Sequence, residues 1–203
     1  MLLIPGMELI PQLAIGWLNG WLLIVFYYVA YCVLFLSFPK NVRFRLYVFD
    51  RSNWSKKQKA SNIIGKVIVI VVFVLLIFTP LKIGSIAFIL GMFLYTIGLT
   101  GFIVALINFK NTPQDQPVTH GLYHISRNPQ VLMGFIAGIG MGFAIGSWLV
   151  ILLGIPAIFF GRYKIMGEEQ DCLERYGESY RTYMKRVPRY LLIKTRVKST
   201  SID

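Results

Sequence analysis

Apolar residues in this chain fall in long uninterrupted runs separated by short polar or basic stretches. From about Trp17 to Ser37 there is no charged residue, and that length is close to the ~20 residues a helix needs to cross a hydrocarbon core. A second run, dense in Val and Ile, extends from about Asn62 to Leu81; a third follows the turn at Pro80, Lys82 and Gly84 and ends near Phe109. After a polar loop from Lys110 to Pro129 come two shorter apolar segments, about 131–145 and 147–163, joined by Gly146 and Ser147. So short a link permits only an antiparallel helical hairpin. Pro156 is expected to kink the fifth span. From Lys164 the chain is charged and amphipathic. Leu173, Tyr176, Tyr180, Tyr183 and Val187 recur there at helical spacing, which predicts a helix pair broken at Gly177 and lying on the membrane surface. The segment before Trp17, apolar but interrupted by Pro5 and Pro11, is expected at the interface. The pattern therefore predicts an all-α integral membrane protein of about five transmembrane helices, the last two a hairpin, with a C-terminal amphipathic segment.

Composition agrees with that reading. Of 203 residues, 56% are hydrophobic and 15% charged, more apolar surface than a soluble domain of this size buries. The formal charge of +12 raises nucleic acid as a partner, but its distribution excludes it. Lys and Arg cluster in a central basic loop, 40–61, and in the C-terminal tail, both beside apolar runs, as expected for contact with anionic lipid headgroups. Counting basic residues by loop puts the N-terminus outside and the C-terminus in the cytosol. Cys32 and Cys172 form neither a disulfide framework nor a zinc signature, and the N-terminus lacks the basic region of a signal peptide, so its apolar residues are read as retained. No metal site is expected. The chain divides into an N-terminal transmembrane region, 1–109, and a cofactor-binding region, 110–203. The halves show no internal repeat, which weakens an inverted-repeat transporter reading.

Small residues are regularly spaced in two spans: Gly84, Gly91, Gly98 and Ala105 every seven residues, and Gly134, Gly138, Gly142 and Gly146 every four. Such faces let membrane helices approach closely; alternatively, a flat ligand lies against them. Gly138-Ile139-Gly140 is no nucleotide-binding loop, since no strand precedes it.

Polar groups capable of chemistry concentrate in two stretches, 120–129 and 162–169. The first holds His120, Gly121, Tyr123, His124, Arg127, Asn128 and Pro129, and so both histidines of the chain; the second holds Arg162, Tyr163, Lys164, Glu168 and Glu169. The hairpin starts at one and returns to the other, which brings them together at one membrane face. Each residue has a plainer reading: Arg127 as a headgroup anchor, Asn128 as a helix N-cap before Pro129 in the first turn, and the glutamates on a solvated helix. Taken together, those readings explain less well why one face collects two His, two Arg, two Glu and two Tyr.

HGLYHISRNP, a helical hairpin and then EEQDCLERYGESYRTYMKRVPRYL resemble the C-terminal half of the isoprenylcysteine carboxyl methyltransferase and phospholipid methyltransferase superfamily, over about 120–191. The usual pattern there is HGxYxxxRHPxY, the hairpin, then EExxLxxxFGxxYxxYxxxVPR. Two positions depart from it: Asn128 stands where the family usually has His, and Val131 where it has Tyr.

The resemblance implies a methyltransferase using S-adenosyl-L-methionine, and the residues suit that ligand. Arg127 or Arg162 matches its carboxylate, and Glu168 and Glu169 its ribose hydroxyls and ammonium. Backbone N–H groups around Gly121 and at the Asn128-Pro129 helix start suit the remainder, and Tyr123, His120 and Tyr163 the adenine or sulfonium. A carboxylate acceptor needs no base; an amine or thiol would draw on His124 or His120. Arg127 and His124 are thus the candidates for catalysis. The acceptor is expected to be lipid-like or prenylated and to enter between the third and fourth spans. A phospholipid amine or a thiol are alternative acceptors, and a nicotinamide-dependent membrane reductase or a non-catalytic scaffold are alternatives of another class.

Overall fold

The computed structural model describes residues 4–47 and 54–191. Its helices are α1 (Trp21–Ser37), α2 (Lys40–Tyr47), α3 (Lys56–Phe78), α4 (Ile86–Lys110), a 3-10 turn (Gly121–His124), α5 (Pro129–Ala144), α6 (Trp148–Tyr176) and α7 (Glu178–Arg186). The fold is all-α, and α3, α4 and α6 are each long and apolar enough to cross a membrane, while α1 and α5 are shorter apolar helices.

Several boundaries differ from those the apolar runs suggest. α1 begins at Trp21 rather than Trp17 because Asn19, 2% exposed, turns its amide to the carbonyls of Ala14 (2.7 Å) and Ile77 (3.1 Å), which holds the preceding chain off the helical path. α3 begins at a capping box formed by Ser55 and Gln58, so Lys56, Lys57 and Lys59 ride its first turn instead of lying in a loop. α2 occupies part of the basic stretch. α6 runs unbroken past Pro156 and past Lys164 to Tyr176, so the fifth span and the first half of the amphipathic segment are one rod of roughly 43 Å at 1.5 Å per residue. It stops at Gly177, whose φ of +57° is a conformation that favours glycine.

One end of the bundle is closed by a backbone network. Lys82 N–H donates to Ala144 O (2.9 Å), Glu8 N–H to Gly146 O (2.8 Å) and Trp148 N–H to Glu8 O (2.9 Å); Lys82 also pairs with Glu8 at 2.9 Å. The N-terminal segment is thereby laced to the α3–α4 and α5–α6 turns. The opposite, basic end carries α2, the 111–128 connection and α7.

α4 and α5 pack at backbone distance. A Cβ on Gly98 would fall on Ala137 and Met133 backbone atoms, and one on Gly91 on Ala144 and Gly140. The seven-residue stripe of α4 therefore serves helix packing from Gly91 to Ala105. The four-residue stripe of α5 is divided: the face against α4 is Met133, Ala137, Gly140 and Ala144, a Cβ on Gly142 would fall 2.6 Å from Ile151 of α6, and one on Gly138 meets nothing within 4 Å. The expected entry of substrate between the third and fourth spans is overturned here, because backbone contact closes the α4–α5 seam.

Candidate active site

The 111–128 connection is folded by local bonds. Asn108 Oδ1 accepts from Leu122 N–H at 3.2 Å, and Gly121, at φ +60°, sits so close to the Asn108 side chain that a Cβ would collide with it. Asn128 occupies the N-cap of α5 and Pro129 its first turn, but Asn128 makes no side-chain cap bond. Its amide instead donates to Arg189 O at 3.3 Å, and Ser126 Oγ donates to the same carbonyl at 2.9 Å. Arg127 N–H donates to Pro188 O at 2.9 Å. The 126–128 turn thus pairs with the chain that follows α7.

Charged side chains lock the same junction. Arg127 Nε donates to Glu169 Oε1 at 2.9 Å and Arg127 Nη1 to Met184 O at 2.9 Å. Arg189 grips Glu169 Oε2 through Nε (3.0 Å) and Nη2 (2.6 Å). The side chains of Arg127 and Glu169 are 1% and 4% exposed, so one carboxylate is shared between two guanidiniums away from water. Burial alone would lower the pKa of Arg189, but its hydrogen bond to Glu169 and that carboxylate's charge outweigh burial and raise it. Around this lock Tyr123, Tyr180 and Tyr183 pack with Val118 and Val187. Burial, the leading cause in each case, pushes all three phenols above the ordinary tyrosine range.

Beside the lock lies a cavity of about 500 Å³, within the 300–1,000 Å³ typical of small-molecule sites. Its apolar wall is built by Tyr27, Tyr28 and Tyr31 of α1 and Phe102, Leu106 and Phe109 of α4. Its polar wall is the α6 face bearing Lys164, Glu168, Asp171, Cys172 and Arg175, where Lys164 Nζ lies 3.2 Å from Glu168 Oε1. Tyr123, Arg127, Asn128, Gln130 and Val131 join the two, and Arg45 and Leu46 of α2 complete the rim.

The basic end thus gathers Tyr123, Arg127, Asn128, Glu168 and Glu169 on one cavity. Pro129 is buried behind it in the α5 first turn. His120, Gly121, His124 and Arg162 are not on the cavity wall. His120 and His124 are exposed, with His120 Nδ1 3.5 Å from Thr112 Oγ1. Arg162 is exposed too, its guanidinium lying over the Phe159 and Tyr163 rings. Wall residues that sequence reasoning did not single out include Arg45, Gln130, Asp171 and Arg175, with Arg189 behind the wall. Of these, two left a signal: Gln130 is the one polar side chain in the sequence of α5, and Arg189 closes the VPR end of the motif.

The matched segment is the one that builds this wall. Residues 108–179 match the family model of phospholipid methyltransferase. That family belongs to the superfamily of integral membrane methyltransferases that also holds the isoprenylcysteine carboxyl methyltransferases. No curated protein matches the chain. The matched segment opens at Asn108, which anchors the Leu122 amide, and includes Arg127, Glu168 and Glu169. The α1 tyrosines, Arg45 and Arg189 lie outside it.

Proposed function

We propose that this membrane methyltransferase uses S-adenosylmethionine to methylate the carboxylate of a lipid-like acceptor such as a prenylated cysteine, with its basic end in the cytosol. One observation carries the reading: a single cavity joins a charged wall on α6 to an aromatic wall built by α1 and α4, and neither histidine reaches it. Bound S-adenosylmethionine supplies an electrophilic methyl group on a sulfonium. The α6 wall suits its polar end: Glu168 and Asp171 accept hydrogen bonds from ribose hydroxyls and the α-ammonium, and Lys164 or Arg175 meets the carboxylate. The faces of Tyr176, Tyr180 and Tyr183 suit a cation or an adenine ring. Arg127 and Glu169 support this wall by their mutual ion pair and by holding Arg189.

An acceptor carboxylate entering from the aromatic side would meet the methyl carbon that a bound S-adenosylmethionine supplies. The transfer would form an O–C bond as the C–S bond breaks with its electron pair passing to sulfur, and would release no proton. The chain's task is alignment in a site shielded from water. Acceptor entry is assigned to the α1–α4 side, where Tyr27, Tyr31 and Phe102 line the cavity.

A second reading, amine methylation of a phospholipid, is favoured by the family description itself; Glu168 or Asp171 would then take the proton. One experiment tests both. Calorimetric titration of the detergent-purified chain with S-adenosylhomocysteine is expected to show micromolar binding that Glu168→Ala abolishes. Radiolabelled methyl transfer to N-acetyl-S-farnesylcysteine should give a product that releases its label in mild base, as an ester does. Label that enters phospholipid and survives base selects the amine reading, and no binding of S-adenosylhomocysteine by folded protein sinks both.

A further inference from the structure

Three groups converge where the aromatic part of the cavity meets its polar part. The first is Arg45 of α2. Its Nη1 donates to Thr112 O (3.1 Å) and Pro113 O (3.0 Å), its Nη2 to Gln116 O (3.0 Å), and its guanidinium lies 4.8 Å over the Phe109 ring. These partners are uncharged, and among the described residues no carboxylate forms an ion pair with Arg45. Among the described residues, this fixed cation therefore stands on the cavity rim without a carboxylate partner, held in place by carbonyls and an aromatic face.

The other two groups are Tyr123 and Gln130. Gln130 Nε2 donates to Tyr123 Oη at 3.1 Å, and both residues line the cavity. In this arrangement the phenolic O–H has no acceptor among the described residues. In the opposite amide orientation the phenol donates to Gln130 Oε1, and the amide hydrogens are left over. Either way, the pair offers the cavity at least one unused donor. The ring is fixed from both sides of its backbone, since Tyr123 O accepts from Tyr183 O–H at 2.7 Å and Tyr123 N–H donates to His120 O at 3.2 Å. Burial keeps the phenol protonated, and Arg45 lies near enough to act on it electrostatically. Gln130 also stands in the first turn of the 16-residue α5, where backbone N–H groups add partial positive charge.

We propose that Arg45, Tyr123 and Gln130 form the subsite that holds the carboxylate of the methyl acceptor at the junction of the cavity's two walls. The proposal rests on the carboxyl-methylation reading above and adds the groups that select the acceptor. A carboxylate has about four lone-pair positions, so donors at one oxygen orient it and leave the other for attack. Methylation removes the charge Arg45 attracts, so the same subsite holds the ester product less tightly than the acid and favours its release.

The test compares binding of N-acetyl-S-farnesylcysteine with that of its methyl ester, using the full chain in nanodiscs with S-adenosylhomocysteine present. Wild type is expected to prefer the acid by on the order of tenfold or more, the scale of a charge-assisted hydrogen bond. Tyr123→Phe and Gln130→Leu, which keep the ring and the helix, should each erase most of that preference and leave S-adenosylhomocysteine affinity within about twofold. The double variant should do no more than either single one, because the two side chains act as a pair. An unchanged preference in both single variants overturns the proposal, as does a parallel fall in S-adenosylhomocysteine affinity, which would give the pair to the cofactor. A wild type that binds S-adenosylhomocysteine but treats acid and ester alike overturns the subsite and leaves the cofactor reading standing. A folded wild type that does not bind S-adenosylhomocysteine refutes that reading itself.

Discussion

Arg189 and Glu169 meet through two hydrogen bonds to a single carboxylate oxygen, at 3.0 and 2.6 Å, and the other oxygen is taken by Arg127 at 2.9 Å. The carboxylate therefore ties three parts of the chain together: the turn before α5, the middle of α6 and the segment after α7. Replacing Glu169 with Ala leaves two neighbouring guanidiniums without their anion. Breaking a buried pair from one side costs about 3–5 kcal/mol, so Glu169→Ala should lower the thermal unfolding midpoint in detergent sharply. Arg189→Lys, which keeps the charge but loses the paired donors, should lower it less. Differential scanning fluorimetry separates the two.

The α4–α5 seam gives a contrast within one helix pair. Gly98→Leu forces a side chain into Ala137 backbone and should destabilise by at least the ~1–3 kcal/mol of an overpacked core. Gly138→Leu points into open space and should leave both the unfolding midpoint and S-adenosylhomocysteine affinity close to wild type. Equal damage from the two would contradict the close packing at Gly98.

Stability at high pH follows from the tyrosines. Tyr123, Tyr180 and Tyr183 have folded-state pKa values above the ordinary 10.0, so the folded state resists ionisation that the unfolded chain undergoes. Their contribution is full below about pH 10 and is lost as pH rises beyond it. Protease cleavage after basic residues of α7 should stay slow at neutral pH and accelerate above about pH 10. The tyrosinate absorbance of these phenols should appear together with that cleavage, not before it.

Carboxyl methylation without an imidazole predicts a flat pH profile. His120→Ala and His124→Ala should each retain activity within about threefold, and kcat/KM should vary little across about pH 6.5–8.5, where a histidine base would impose a slope. A profile rising through about pH 6.5 and abolished in His124→Ala would instead put that imidazole in the reaction.

Much of this arrangement was legible in the sequence because membrane helices announce themselves by length and polarity. The hairpin follows from its two-residue link, and its geometry alone brings Arg127 toward Glu169. Arg189 was legible only as the last residue of the VPR end of the resemblance, which marks the position without naming Glu169 as its partner. Arg45 was not legible, being one of several cations in a run whose sequence gives no hint that three carbonyls cage it. The face of α5 against α4 was hidden because the regularly spaced glycines, of which Gly142 packs on Ile151 of α6, and the contact at Ala137, Gly140 and Ala144 lie on different sides of the same cylinder. The length of α6 was hidden by the change from apolar to charged residues at Lys164, a change that alters the surroundings of a helix and leaves its backbone hydrogen bonds intact.

That unbroken α6 has a mechanical corollary. Glu168, Asp171 and Arg175 stand on the same continuous helix as the apolar residues from Trp148 onward, with Pro156 between them. The charged wall therefore shares its backbone with an apolar span, and Pro156, which removes one rung of the helical ladder, is the point at which that span flexes beneath the polar side of the cavity.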